Sequence, residues 1–315
     1  MPQPAHPVTV LRSLRDRAEM ALVHAVFFVV GLFSRGFVLT FSRFLGNLVY
    51  RFIPGQRRVA LANLELAFGD GLDPVRREAL ARASFYAFFR AILDFAWFSF
   101  RSGRRLQRWF SFDPVLAQKL KEGPAVIVTA HFGNWELLGQ AGTLNGATAV
   151  SVAAMFPNER LNRFITALRQ RFGMTITPRE GALRALLKAL KNGTHVAFVM
   201  DQNTRISEGG VFVNFFGRPA TLSPAAAVLA VRTRSPILPV FCLALPDGTY
   251  RAYSCPVLVP GRDGDEAALN QRIADTMEAE IRKHPEQWLW MYRRWKYVPA
   301  GMSAADFPFY AHPAT

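Results

Sequence analysis

From Ala125 onward the chain alternates short apolar runs with longer amphipathic ones, and this alternation limits the fold more than any other feature. Ala125–Ala130 (AVIVTA) reads as a buried strand, and the following HFGNWELLGQAG as a turn running into a helix. Ala147–Ala154, His195–Met200 and Val211–Phe215 read as further strands. Asn158–Phe172 carries Leu161, Phe164, Ile165 and Leu168 on one helical face, and Gly181–Lys191 is a helix stopped by Asn192-Gly193. Ser223-Pro224 opens a helix with Ser at the cap and Pro in the first turn. Ile237–Ala244 and Tyr250–Leu258 are strands joined by a Pro-Asp-Gly turn, and Asp265–Lys283 is helical. Strand and helix in alternation predict an α/β protein, an αβα sandwich around a mostly parallel sheet.

Before residue 125 the grammar is helical. Met20–Ser34 has no charged residue, but its 15 residues fall short of the roughly 18 to 20 that cross a bilayer. No small-residue cleavage site follows it, so it does not read as a signal peptide. Arg35, Arg43 and Arg51 then interrupt further apolar stretches, a pattern that would let their guanidinium groups reach lipid headgroups while Phe and Leu sit among acyl chains. A buried core helix is the plainer alternative. Arg57–Phe68 and Pro74–Phe100 read as two more helices. The expected organisation is a basic, apolar membrane-anchoring region over 1–58, an α/β domain over 59–297, and a loose tail over 298–315.

Charge narrows the partners. The 38 basic residues against 23 acidic ones give +15, and only six of the 38 are Lys. Residues 1–58 hold eight basic and two acidic side chains, so +6 of this lies at the N-terminal end. Such a field favours phosphates, an anionic membrane or an acidic protein, and Arg suits phosphate through its planar fork. The two cysteines stand in no CxxC pair and read as reduced structural thiols, which favours a reducing compartment.

Of six His, His131 stands apart. It follows a buried strand, at the sheet edge where ligands bind in open α/β folds. Glu136, in the first turn of the next helix, lies five residues on. Together they read as the His/carboxylate half of a triad, with the carboxylate holding the imidazole and the other ring nitrogen free to take a proton from a substrate hydroxyl. Attack of that hydroxyl on an activated acyl carbon is acyl transfer. Gly133 and Asn134 would offer backbone N–H groups to the oxyanion. A helix-capping His beside a favourable first-turn Glu is the structural alternative. No GxSxG, P-loop or HExxH occurs, and no His/Cys group has metal-ligand spacing, so neither metal nor nucleotide is expected. Asp201-Gln202-Asn203 also fits turn chemistry, and Phe215-Phe216-Gly217-Arg218 fits a β-turn with a surface Arg. Trp288, Trp290 and Tyr292 alternate as on one strand face. With Arg293, Arg294 and Lys296 they fit an interfacial aromatic belt, a base-stacking surface, or a core strand beside solvated charges.

HFGNWE over 131–136 resembles the H-x4-[D/E] motif of glycerolipid acyltransferases, in the form used by bacterial lipid A biosynthesis acyltransferases (the lauroyl/myristoyl transferase group), a group that includes phosphatidylinositol mannoside acyltransferases. ALRQRFG (167–173), FVMDQN (198–203), GVFVNFFGRPAT (210–221) and RKHPEQWLWMYRRWK (282–296) are similar to further family segments, in order, over roughly 35–297. The resemblance implies His131 as general base, oriented by Glu136. It implies Arg169, with Arg171 as rival, arranging the site or binding acceptor phosphate, and Asp201 and Gln202 lining the cleft. Asn134 and Arg218 fall in matched segments and count among the expected substrate contacts. It further implies an acyl-carrier-protein or CoA thioester as co-substrate with no other cofactor, a lipid acceptor, and work at the cytoplasmic leaflet of a bacterial inner membrane. The acceptor expected is a lipid A precursor or related glycolipid, with a lysophospholipid, mannosylated lipid or aminolipid as alternatives. Nucleic acid is not expected. A non-catalytic membrane or nucleic-acid binding protein is the reading from another class; a thioester hydrolase is a further one.

Overall fold

The computed structural model describes residues 7–261 and 265–314, with side chains from residue 14 onward. Five helices come first: α1 (Pro7–Leu32), α2 (Arg35–Phe52), α3 (Pro54–Phe68), α4 (Pro74–Ser99) and α5 (Ser102–Trp109). Their breaks are chemical. The Ser34 hydroxyl caps α2 by accepting from the Phe37 amide, Pro54 opens α3, and the Asp73 carboxylate caps α4 by accepting from the Arg76 amide. Helix α2 lies so close to α4 that a Cβ on Gly46 would stand 2.8 Å from the Tyr86 main chain. Glycine therefore sets this helix–helix distance.

The alternating part follows as β1 (Phe110–Phe112), α6 (Pro114–Lys119), β2 (Val126–Thr129), α7 (Trp135–Leu144), β3 (Ala149–Ala153), α8 (Glu159–Gln170), β4 (Thr175–Pro178), α9 (Ala182–Lys191), β5 (His195–Val199), β6 (Val211–Phe215), β7 (Arg218–Leu222), α10 (Ala225–Thr233), β8 (Ile237–Ala244), β9 (Tyr250–Ser254) and α11 (Glu266–Lys283). Seven strands form one sheet in the order β1-β9-β8-β2-β5-β3-β4. Every pairing in it is parallel except the β8/β9 hairpin. The α/β sandwich with a mostly parallel sheet is thus present.

The topology places the site. After β2 the chain runs outward to β3 and β4, returns to β5 beside β2, and later lays β8 on the other flank of β2. The order reverses at β2, and the crevice at the C-terminal ends of β2 and β5 is where an open sheet binds ligands. Both strands are anchored by buried valines, Val126, Val128 and Val196, in the main core. Burying one such side chain contributes on the order of 1.5–3 kcal/mol.

Several expectations change. The 58/59 boundary falls inside α3, and α2 is bound to the sheet domain by charge. Arg35, expected at headgroups, is buried with a bidentate pair to Asp94 on α4, and its Nε donates to Gly248 O at 3.0 Å. Arg43 and Arg51 are exposed. Among the described residues no helix is long and apolar enough to cross a membrane. Phe28, Leu32, Phe44 and Phe52 nonetheless stand exposed on α1 and α2. The tail is packed: β10 (Tyr297–Val298) pairs with β11 (His312–Pro313), Phe307 and Tyr310 are buried, and the Tyr310 hydroxyl bonds Asn63. Trp288 and Trp290 lie on no strand but fully inside the core with Trp295 and Arg294, because their indoles fill the space between α4, α11 and the β6/β7 hairpin. An aromatic belt is excluded for these buried rings. The turn at 215–218 is as expected, with φ of +54° at Phe216 and +74° at Gly217 joining β6 to β7.

Candidate active site

His131 follows the end of β2, and Asp201 follows the end of β5. Parallel pairing of β2 with β5, Thr129 opposite Val199, brings the two loops side by side. His131 N–H donates to Asp201 Oδ2 at 2.9 Å, and the ring Nδ1 lies 2.7 Å from Asp201 Oδ1. An ionised carboxylate only accepts, so the proton sits on Nδ1 and the Nε2 lone pair is free. Gln202 Nε2 reaches that nitrogen at 3.3 Å and donates to it. The Trp135 ring closes one side, edge-on to the imidazole with centroids 4.8 Å apart.

The expected His131–Glu136 pairing is not formed. Glu136 instead takes Arg169 bidentately, with Nε to Oε2 at 2.9 Å and Nη2 to Oε1 at 2.5 Å. The reason is local: once α7 starts at Trp135, Glu136 faces α8, whose last turn carries Arg169, while the ring is already held from β5. Glu136 acts on the imidazole only as a nearby charge. Arg169 lines the cavity; Arg171 does not, and binds Ser99 O and the Ser102 hydroxyl at 2.6 and 2.9 Å.

Electrostatics favour the pair. Burial opposes the His131 imidazolium, but the charge and hydrogen bond of Asp201 and the charge of Glu136 outweigh it, and the His131 pKa lies above the ordinary imidazole value. Burial likewise opposes the Asp201 carboxylate. His131, the Trp288 indole and the His131 amide overcome it and hold the Asp201 pKa below the usual carboxylate range. The Trp288 Nε1–H donates to Oδ2 at 2.7 Å. Nothing in the sequence pattern signals this contact beyond the density of aromatics near residue 290.

The loop between β2 and α7 is tightly determined. Gly133 has φ +55°, and a Cβ there would meet Cys242 O at 1.6 Å, so only glycine fits. Its N–H donates to Gln287 O at 3.0 Å, and that of Asn134 to Cys242 O at 3.4 Å. These two amides hold the loop and are not open to an oxyanion. Asn134 is buried as the cap of α7, its Oδ1 accepting from the Leu137 amide at 3.1 Å, and touches no ligand space. Arg218 is outside the crevice, on the β7 hairpin, with its Nε on Asp306 O at 3.3 Å. Asp201 lies behind His131 rather than in the cleft wall. His195 is structural: its Nδ1 accepts from the Ala125 amide at 3.1 Å, and Nε2 donates to Leu120 O at 3.1 Å.

From His131, Trp135, Glu136, Arg169 and Gln202 a cavity of about 850 Å³ runs along α7. Its lining is mostly apolar and includes Leu116, Leu120, Leu138, Met174 and Ile176.

Fold and site together define an α/β protein with an imidazole–carboxylate pair whose His131 lines a largely apolar pocket. The family model described as "Bacterial lipid A biosynthesis acyltransferase" matches residues 10–297. A phosphatidylinositol mannoside acyltransferase of Mycobacterium tuberculosis is 29% identical over 54% of this chain, and the chain spans about half (54%) of that relative's length. A lipid A biosynthesis palmitoleoyltransferase of Escherichia coli is 27% identical over 82% of this chain and 85% of its own. A solved 1-acyl-sn-glycerophosphate acyltransferase from Thermotoga maritima superposes on 81% of this chain and 99% of its own, with a TM-score of 0.37 and 14% identity. The chain belongs to the bacterial lipid A biosynthesis acyltransferase family.

Proposed function

We propose that the protein is a membrane-bound O-acyltransferase that moves a fatty acyl chain from a carrier-protein or CoA thioester to a hydroxyl of a lipid A precursor or related glycolipid. The observation that carries this reading is the His131–Asp201 pair, with His131 lining a largely apolar pocket of about 850 Å³. That volume suits a long acyl chain. Nε2 of His131 accepts the proton of the acceptor hydroxyl as its oxygen attacks the thioester carbonyl. The tetrahedral intermediate then collapses, the C–S bond breaks, and the leaving thiolate takes the proton back from His131. Asp201 stays ionised and stabilises the transient imidazolium. Gln202 yields Nε2 to the incoming hydroxyl. The N-terminal turn of α7 lines the same pocket, and its dipole favours negative charge there. Arg169, fixed by Glu136, keeps its Nη1 without a hydrogen bond among the described residues and offers it to acceptor phosphate.

The net charge of +15 suits an acidic carrier protein or a nucleotide-bearing thioester. Exposed Phe28, Leu32, Phe44 and Phe52, with Arg43 and Arg51, suit shallow seating on an anionic leaflet, with the site at the cytoplasmic face of a bacterial inner membrane. The test incubates purified protein with labelled acyl-carrier-protein or acyl-CoA, with anionic vesicles holding a lipid A precursor, a mannosylated lipid or a lysophospholipid. The expected product is an acylated glycolipid, absent with His131→Ala. Full acylation by His131→Ala, or free fatty acid as the sole product, overturns the reading.

A further inference from the structure

We infer that Trp288 is a positioning residue for acyl transfer: its indole N–H pins the Asp201 carboxylate and thereby keeps the His131 imidazole aimed at the pocket. The inference rests on the His131–Asp201 assignment above.

The carboxylate has two oxygens and three donors. Oδ1 serves the imidazole alone, at 2.7 Å. Oδ2 accepts from the His131 amide at 2.9 Å and from the Trp288 indole at 2.7 Å. The amide belongs to the same residue as the ring, so it moves with the loop and is no independent reference. The indole is the donor that comes from outside. With it, the carboxylate plane is fixed and Oδ1 stays on Nδ1; without it, the group turns about its last torsion, whose well is broad.

Trp288 is itself held from several sides, as a reference point must be. Its main chain bridges Phe132, the residue after the base. Its carbonyl accepts from the Ser84 hydroxyl of α4 at 2.6 Å. The neighbouring Gln287 carbonyl accepts from Gly133, and the Gln287 side chain bonds the main chain of Ala244 in both directions, at 2.8 and 3.0 Å. The ring packs edge-on to Trp290 and Phe215. One short segment therefore clamps the base's loop and the base's carboxylate together. Trp288 is fully buried and outside the pocket wall, so it acts only through Asp201.

The test compares Trp288→Phe with protein carrying at 288 the benzothienyl isostere of tryptophan, in which sulfur replaces N–H and the shape is kept. Trp295→Phe is the control: a buried indole whose N–H goes to Phe215 O at 3.2 Å. A hydrogen bond to a buried charge sets the scale, and kcat is expected to fall about tenfold to a hundredfold for both 288 variants. The KM values for thioester and acceptor are expected to stay within about twofold, and Trp295→Phe to keep its kcat. In an Asp201→Ala background the isostere is expected to change kcat by less than about twofold, since the path through Asp201 is already cut. Wild-type kcat with the isostere, or an undiminished further loss in the Asp201→Ala background, overturns the inference. Should Trp288→Phe fail to fold, the isostere decides. An inactive His131→Ala beside a full-rate isostere overturns this inference alone; an active His131→Ala overturns the reading beneath it.

Discussion

Replacing Asp201 by Asn separates the carboxylate that holds the imidazole from the one that the spacing of the motif suggests. The change keeps size and removes a buried charge that touches the His131 ring at 2.7 Å. Two losses follow. The imidazolium formed during transfer loses its partner; leaving one member of a buried pair alone costs about 3–5 kcal/mol. The Asn amide also presents N–H to Nδ1, which moves the ring proton to Nε2 and removes the lone pair that acts as base. Together these predict a fall in kcat of about 10²- to 10⁴-fold. The pH profile carries the sharper signature. In the wild type the acidic limb of kcat/KM follows His131 and lies above the ordinary imidazole value of 6.5, because Asp201 and Glu136 outweigh burial. Asp201→Asn leaves burial dominant and moves that limb to lower pH. Glu136→Gln removes a nearby charge that makes no hydrogen bond to the ring and moves it less, while freeing Arg169 and raising the acceptor KM. The stability signs agree. His131, with its raised pKa, contributes below the ordinary imidazole value and loses its contribution as pH rises through the folded pKa. Asp201, with its depressed pKa, contributes above the ordinary carboxylate value and loses its contribution as pH falls through the folded pKa. The stability gap between wild type and Asp201→Asn is therefore widest between about pH 4 and 6.5. The assay is a pH–rate profile of thioester turnover for the three proteins, with urea midpoints at matched pH. Asp201→Asn turning over within tenfold of wild type, or a larger limb shift from Glu136→Gln, would refute the reasoning.

Two further outcomes follow from the packing. Asp94→Ala strands the buried guanidinium groups of Arg35 and Arg90 and removes an acceptor from the Tyr250 hydroxyl; it is expected to destabilise by about 3–5 kcal/mol, read from equilibrium urea unfolding, and an unchanged midpoint would count against it. Gly142→Leu enters open pocket space, since nothing lies within 4 Å of a Cβ there; mass spectrometry of products from mixed thioesters is expected to show shorter acyl chains, and an unchanged chain-length profile would remove this cavity as the acyl site.

Much of the architecture is legible in the chain. The strands at Ala125–Ala130, Ile237–Ala244 and Tyr250–Leu258 and the helices between them follow from local periodicity and caps, which involve neighbours only. The tail reads as loose for the converse reason: residues 298–314 show no period, yet Phe307 is buried and the Tyr310 hydroxyl bonds Asn63, 247 residues earlier. Arg35 reads as a snorkelling cation in an apolar stretch, and only the arrival of Asp94 from α4 makes it a buried ion. Asn134 and Arg218 sit in family-like segments, but proximity in the motif does not fix direction: one turned into a cap and the other outward.

By itself the sequence determined the α/β alternation and the placement of His131 after a buried strand, because each depends on backbone chemistry within a few residues. The partner of that imidazole was decided only by tertiary structure. Which carboxylate lies 2.7 Å from Nδ1 depends on β5 settling beside β2 and on Trp288 returning from the far end of the chain. Such hydrogen bonds are set by distance in space, and spacing along a chain carries no record of them.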